Sequence, residues 1–194
     1  MAKKKGKQKQ SAFRKYIRIL WGIFLLGVTG IIVLFGGAAL GIFGPMPDLQ
    51  QLENPRTNLA TQIISSDGTI LGKYYFDDNR TPIGFDEIPM DMVEALIATE
   101  DERFYDHAGI DWRGTLRAFG FLGKRGGAST ITQQLARQIF VGVRSRNVLK
   151  TIFQKAQEWV IAVQLEQRYT KKEIMAMYLN KYDFGYQADG IRSA

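Results

Sequence analysis

The run Ala98-Thr99-Glu100-Asp101-Glu102-Arg103-Phe104-Tyr105-Asp106-His107-Ala108-Gly109-Ile110-Asp111 is followed at a short distance by Gly126-Gly127-Ala128-Ser129-Thr130-Ile131-Thr132-Gln133-Gln134-Leu135. The first run sets acids against aromatics and the chain's single histidine, and the second gathers glycine, hydroxyl and amide side chains. Polar groups of this density suit a site better than a core, because burying them without partners is costly.

Upstream, eight Lys and Arg residues (Lys3, Lys4, Lys5, Lys7, Lys9, Arg14, Lys15 and Arg18) precede residue 19 with no acid among them, against a net charge of +7 for the whole chain. The remainder is therefore close to neutral, and the basic character belongs to the tail. Residues 19–43 then run without a charge, longer than the roughly 20 apolar residues that span a bilayer as a helix. This segment is expected to be a single transmembrane helix. A cleaved signal peptide is the competing reading, with Gly37-Ala38-Ala39 as its candidate site, but an apolar region of roughly 7–15 residues would suffice for one. The basic tail is expected in the cytoplasm and everything after Pro45 outside it, with the tail free to attract anionic headgroups. Nucleic-acid binding, the usual alternative for a lysine-rich run, fits poorly beside a spanning helix.

The chain has no cysteine and one histidine. That excludes a disulfide framework, a thiol nucleophile and a multi-histidine metal site, leaving carboxylates to carry the chemistry. Residues 44–84 read as a linker: Pro45, Pro47 and Pro55 punctuate its first part, and two β-rich runs around Asp67-Gly68 predict a hairpin. From about Pro89 the periodicity is helical. Asp91 is placed to cap a helix carrying Met92, Val93, Leu96 and Ile97; residues 151–168 repeat apolar side chains at a period near 3.6; Thr170-Lys171-Lys172-Glu173 fits a capping box.

Nine cations and no acid lie between Asp111 and Glu158: Arg113, Arg117, Lys124, Arg125, Arg137, Arg144, Arg146, Lys150 and Lys155. A single-sign stretch bracketed by Glu100 and Glu158 suits a phosphate or pyrophosphate held near two carboxylates, or a surface resting on anionic lipid. Taken singly, each candidate has a plainer reading. Glu100 could be a solvated helix end, His107 a structural hydrogen-bonding residue, Gly126 and Gly127 a loop before a helix cap, and Lys155 with Glu158 a helical i, i+3 ion pair.

In order, the two opening runs resemble the first two signature motifs of the peptidoglycan glycosyltransferases, the polymerase half of class A penicillin-binding proteins. Gln154-Lys155-Ala156-Gln157-Glu158 resembles the third, Glu173-Ile174-Met175-Ala176-Met177-Tyr178-Leu179-Asn180 the fourth, and a fifth begins at Gly185 and Gly190-Ile191. The resemblance covers about residues 85–194. It departs at Gln154, where the family's Arg belongs, at Lys150, often Arg, and at Gln138, usually Asn; the loss of a cation at Gln154 bears on how that helix is anchored. The chain stops inside the fifth motif, so the resemblance implies an N-terminal fragment, ending before any transpeptidase domain and too short to complete the family's fold.

The resemblance implies a mainly α chain: a cytoplasmic tail at 1–18, a transmembrane helix at 19–43, an extracytoplasmic β linker at 44–84 and an incomplete lysozyme-like helical domain at 85–194. It implies a single-pass protein of the bacterial cytoplasmic membrane with its catalytic domain outside, serving cell-wall synthesis and cell shape. Its reaction would polymerise lipid II into glycan strands and release undecaprenyl pyrophosphate. Glu100 would be the general base and Glu158 the second carboxylate, orienting cations or a metal. Arg137, Lys150 and Lys155, with a divalent cation (Mg or Mn) as an optional helper, would meet the pyrophosphate, while Ser129, Thr130, Gln133 and Gln134 would bind sugar or phosphate. Partners would be lipid II, the growing strand, membrane lipids and cell-wall synthesis proteins, with no nucleic acid. Two rivals remain open here: a lysozyme-like glycan-cleaving enzyme using Glu100 as acid, and an inactive membrane-anchored binding or scaffold fragment.

Overall fold

A computed structural model describes residues 2–47, 61–74, 82–121, 127–185 and 190–192. The chain is mainly helical. Helix α1 (Ala2–Ala39) is followed by a two-stranded antiparallel ribbon of β1 (Thr61–Ile64) and β2 (Ile70–Tyr74), then by α2 (Met90–Glu100), α3 (Trp112–Gly120), α4 (Ile131–Ala136), α5 (Val148–Arg168) and α6 (Lys171–Lys181).

Within α1 the stretch Phe13–Ala39 contains an apolar window of mean hydropathy 2.4 that the rest of the chain leaves uncovered, so it is long and apolar enough to cross a membrane. The helix ends at Ala39, although the uncharged run continues to Phe43. Hydropathy does not stop it; packing does. Gly41 takes a left-handed φ of 72°, the chain turns, and Phe43 stacks on Phe153 of α5 with ring centroids 4.2 Å apart. Phe35 meets Trp159 at 5.6 Å and Ala38 is fully buried, so the lower end of α1 is seated on α5.

The expected hairpin forms around Asp67-Gly68. Ser65 N–H donates to Thr69 O at 2.9 Å, Asp67 Oδ1 accepts from the Thr69 amide at 3.1 Å and from the Ser65 hydroxyl, and Gly68 supplies the required positive φ of 85°. Pro55 and Phe76, both within the expected linker, lie outside the described residues, as do Lys124, Arg125 and Gly126.

Helix α2 corrects one expectation. Asp91 is not its cap: Pro89 occupies that position with no side-chain bond, and Asp91 sits inside the first turn, where its charge still suits the helix dipole. Thr170 does cap α6, with its hydroxyl accepting from the Glu173 amide and the Glu173 carboxylate returning to the Thr170 N–H. Asn147 caps α5, which starts three residues earlier than the apolar period suggested.

The core is built where α4, α5 and α6 meet. Ile131, Leu135, Ala136, Ala162, Leu165, Ile174 and Met175 are all fully buried there, with Phe104 beside them. At six residues α4 is far too short to persist alone. Each large aliphatic side chain it buries contributes about 1.5–3 kcal/mol, and that packing holds the second signature run in place.

Candidate active site

Glu100 and Asp101 are adjacent in sequence and opposite in fate. Helix α2 ends between them: Glu100 keeps its helical place and points out, while the backbone of Asp101 turns extended (φ −157°, ψ 71°) and carries its side chain in. Glu100, the last residue of α2, is exposed; Asp101 is buried. The Asp101 carboxylate accepts from His107 Nε2 at 3.0 Å and from the Ile131 backbone N–H at 3.0 Å. It thereby ties the first signature run to the first turn of α4. His107 is the structural partner of Asp101, the plainer of the readings open for it.

Thr130 is the N-cap of α4, accepting from the Gln133 amide at 3.1 Å while its own hydroxyl donates to Gly109 O at 2.7 Å. Gly109 is a position only glycine fits: φ is +88°, and a Cβ there would stand 2.9 Å from the backbone carbonyl of Ala162. The two opening runs are thus pinned to each other and to α5.

The exposed Glu100 carboxylate lines a polar cleft with Glu102, Arg103, Asp111, Arg117 and Ser129. Its Oε2 accepts from Gln134 Nε2 at 2.8 Å. Across the cleft Arg103 and Asp111 form an ion pair. Burial pushes the Asp111 carboxyl up, but the hydrogen bonds from Arg103 and the Gly114 backbone outweigh it and hold it below the usual carboxylate range; the same pair raises Arg103.

Behind Ser129 lies a cluster of charges. Lys155 Nζ donates to Ser129 Oγ at 2.8 Å, to Gln133 Oε1 at 3.3 Å and to Glu158 Oε2 at 2.8 Å. Arg144 Nη2 stands 3.7 Å from the other oxygen of Glu158. Burial lowers the Lys155 pKa below the ordinary lysine value; Glu158 opposes the shift, and the charges of Arg144 and Arg137 add to it. Glu158 is 2% exposed, so it holds cations and does not itself face the cleft. Of the sequence candidates, Ser129, Gln133, Lys155 and Glu158 come together directly, and Gln134 joins Glu100. Arg137, half-buried on the π-helical turn Arg137–Val141, acts electrostatically on both Lys155 and Tyr178. Lys150 is exposed on the first turn of α5.

Arg144 was not singled out from the sequence, and Gln154, noted there only as a departure, has a defined role. Arg144 is one of nine cations there, and nothing local marks it as the one that reaches Glu158. Gln154 fills the position of the missing Arg: its Oε1 accepts from the Ser145 N–H at 2.9 Å and its Nε2 donates to Val143 O at 3.0 Å. The lost cation leaves α5 anchored, since the amide clamps the backbone on both sides of Arg144.

A divalent cation does not fit at Glu158. Both of its oxygens face cations, and among the described residues no three His, Asp or Glu side chains gather as ligands, whereas Mg and Mn require several oxygen donors.

A family model described as Transglycosylase matches residues 67–194. The chain belongs to the transglycosylase family. It is 40% identical over 179 residues to penicillin-binding protein 1A of Escherichia coli (strain K12), covering 88% of this chain and 20% of that protein. It is 37% identical over 177 residues to penicillin-binding protein 1F of Bacillus subtilis (strain 168), covering 89% and 24% respectively. Penicillin-binding protein 1A of Haemophilus influenzae is 42% identical over 137 residues, 69% of this chain and 15% of that protein. The chain spans about a fifth of the length of these transglycosylase relatives.

Proposed function

We propose that the chain carries a peptidoglycan glycosyltransferase site that joins lipid II units into glycan strands. The observation that supports it most is the pairing of an exposed carboxylate, Glu100, with a half-buried cation, Lys155, on either side of Ser129. The 4-hydroxyl of one lipid-linked disaccharide attacks the anomeric carbon of the growing strand. Glu100 accepts the hydroxyl proton as the new C–O bond forms. The bond to the pyrophosphate breaks with inversion, and the undecaprenyl pyrophosphate leaves with its electron pair.

Lys155, Arg137 and Arg144 meet the negative charge that develops there, with Lys150 further out, where preorganised donors lower the barrier most. Glu158 keeps those cations in position, Ser129 and Gln133 orient Lys155 as well as ligand, and Thr130 holds the loop. The cationic cluster also favours a transferase with a pyrophosphate leaving group over a glycan-cleaving hydrolase, which has no anionic leaving group for those cations to meet.

The α1 helix carries the basic tail at its start, so on the positive-inside rule the tail is cytoplasmic and the site lies on the outer face of the cytoplasmic membrane, among lipids and cell-wall synthesis partners. A reporter active only outside the cytoplasm, fused after Gly44, is expected to be active; activity confined to a cytoplasmic reporter would reverse the orientation. For the chemistry, Glu100→Gln in the intact protein is expected to cut polymerisation of labelled lipid II by roughly 10²–10⁴-fold. Turnover within a few-fold of the parent would move the base elsewhere.

A further inference from the structure

The fourth signature run contributes a residue to the site that periodicity alone assigns to the core. Tyr178 of α6 is fully buried among Ile174, Met175 and Leu179, yet its hydroxyl donates to Gln134 Oε1 at 3.0 Å. The other end of the same amide, Gln134 Nε2, donates to Glu100 Oε2 at 2.8 Å. The direction of this chain follows from its chemistry. A carboxylate accepts and an amide NH2 only donates, so Gln134 must present nitrogen to Glu100 and oxygen to Tyr178, and the phenol must then be the donor.

We propose that Tyr178 is a positioning residue for Glu100, acting through the Gln134 side chain. Three separate elements supply the chain: Tyr178 from α6, Gln134 from α4 and Glu100 from the end of α2. An exposed carboxylate at a helix end has several rotamers open to it, and among the described residues its hydrogen bond is to Gln134 and not to a neighbour on α2. Gln134 supplies one. Gln134 alone is also free to rotate about its last bond, and a hydroxyl fixed in the core removes that freedom.

Tyr178 suits the task because it stays a donor. Burial, with the negative charge of Glu100 adding to it, pushes its pKa above the ordinary tyrosine value. Its ring is wedged in the core and stands 5.5 Å from the Tyr182 ring, so the hydroxyl has little room to wander. Gln134 accordingly serves as a relay to the base, and its amide is not free to bind substrate while both bonds are made.

The inference rests on Glu100 being the base, and a double-mutant cycle on the intact protein separates the two. Tyr178→Phe keeps the ring and removes the hydroxyl; Gln134→Leu removes the relay. With labelled lipid II as substrate, Tyr178→Phe is expected to lower kcat roughly 3–10-fold, the worth of one net hydrogen bond, with KM kept within about twofold. In the Gln134→Leu background the same change is expected to have almost no effect on kcat, because the path it acts through is already cut. A merely structural tyrosine would act equally in both backgrounds, and that result overturns the proposal, as does an unchanged kcat. Should Tyr178→Phe fail to fold, Gln134→Leu alone decides: a kcat loss with KM kept supports the relay, and a rise in KM with kcat kept overturns it. A parent protein that does not polymerise lipid II would overturn the glycosyltransferase reading and this inference with it.

Discussion

Removing the Asp101 carboxylate should cost stability, whereas altering its neighbour Glu100 should cost rate. In Asp101→Ala the Ile131 N–H and the His107 ring N–H lose their acceptor at once, and both lie in a region closed to water. An orphaned buried donor costs about 1–3 kcal/mol, so the pair sums to roughly 2–6 kcal/mol, with part of it recovered if water enters the cavity. At about 3 °C per kcal/mol for a chain of this length, the melting midpoint should fall by up to roughly 6–18 °C. Asp101→Asn should be milder, about 1 kcal/mol: its oxygen can still accept from Ile131, and its NH2 can donate to His107 if the imidazole carries its proton on Nδ1 instead.

The assay is a melt of the intact protein in detergent, paired with amide exchange at Ile131, whose N–H is the bond in question. Faster exchange at Ile131 should accompany the lower midpoint in Asp101→Ala. Glu100→Gln should melt within about 4–5 °C of the parent, because Glu100 is exposed and gives up at most one surface hydrogen bond worth about 0.5–1.5 kcal/mol. An Asp101→Ala protein that melts like the parent would refute the structural role. So would a Glu100→Gln protein destabilised as strongly as Asp101→Ala, since the two carboxylates would then not be divided as their burial implies.

Two further outcomes follow from the charge cluster. Burial lowers the Lys155 pKa, so its charged form is disfavoured by folding, and that penalty is relieved as pH rises from the lowered value to the unfolded one near 10.5. Anion binding should run the opposite way: affinity for inorganic pyrophosphate should fall at alkaline pH earlier than an ordinary lysine would allow, and Lys155→Arg, which keeps its charge, should abolish that fall; an unchanged profile in titration calorimetry would exclude Lys155 as the anion's partner. Gln154→Ala should free the loop on both sides of Arg144, seen as faster tryptic cleavage at Arg144 and Arg146 with a stability change of about 1 kcal/mol or less, and unchanged cleavage would show that the clamp is not what holds the loop.

Local chemistry made parts of this structure readable in advance. Asp67-Gly68 required a turn, Thr170 with Glu173 closed a capping box, and the apolar period of 151–168 lay inside α5. The order of the signature runs marked where the site would be. What escaped depended on contacts between distant residues. The uncharged run gave no sign that α1 would stop at Ala39, because a stacked ring on Phe153 stops it. Tyr178 read as one more apolar position of α6, since periodicity sees its ring and not the hydroxyl that reaches Gln134. Arg144 was indistinguishable from its eight cationic neighbours until a loop held by Gln154 carried it to Glu158.

Helix α5 joins the two halves of the chain, and its sequence explains how. Phe153, Gln157 and Trp159 take part in the seat of α1: Phe43 stacks on Phe153, Phe35 meets Trp159, and a Cβ on Gly44 would stand 3.0 Å from Gln157 Nε2. Lys155 and Glu158, interleaved with them in sequence, form the cation cluster. At 1.5 Å per residue, residues 153–159 span only about 9 Å, so the charge cluster and the foot of the apolar helix are neighbours on one rigid element. On the proposed glycosyltransferase reading, a substrate whose tail is dissolved in the bilayer carries its phosphates near the headgroups, and the binding cation would stand at that height. Seating α1 on the helix that bears Lys155 would then fix that height through packed aromatic rings, which a flexible tether would not do.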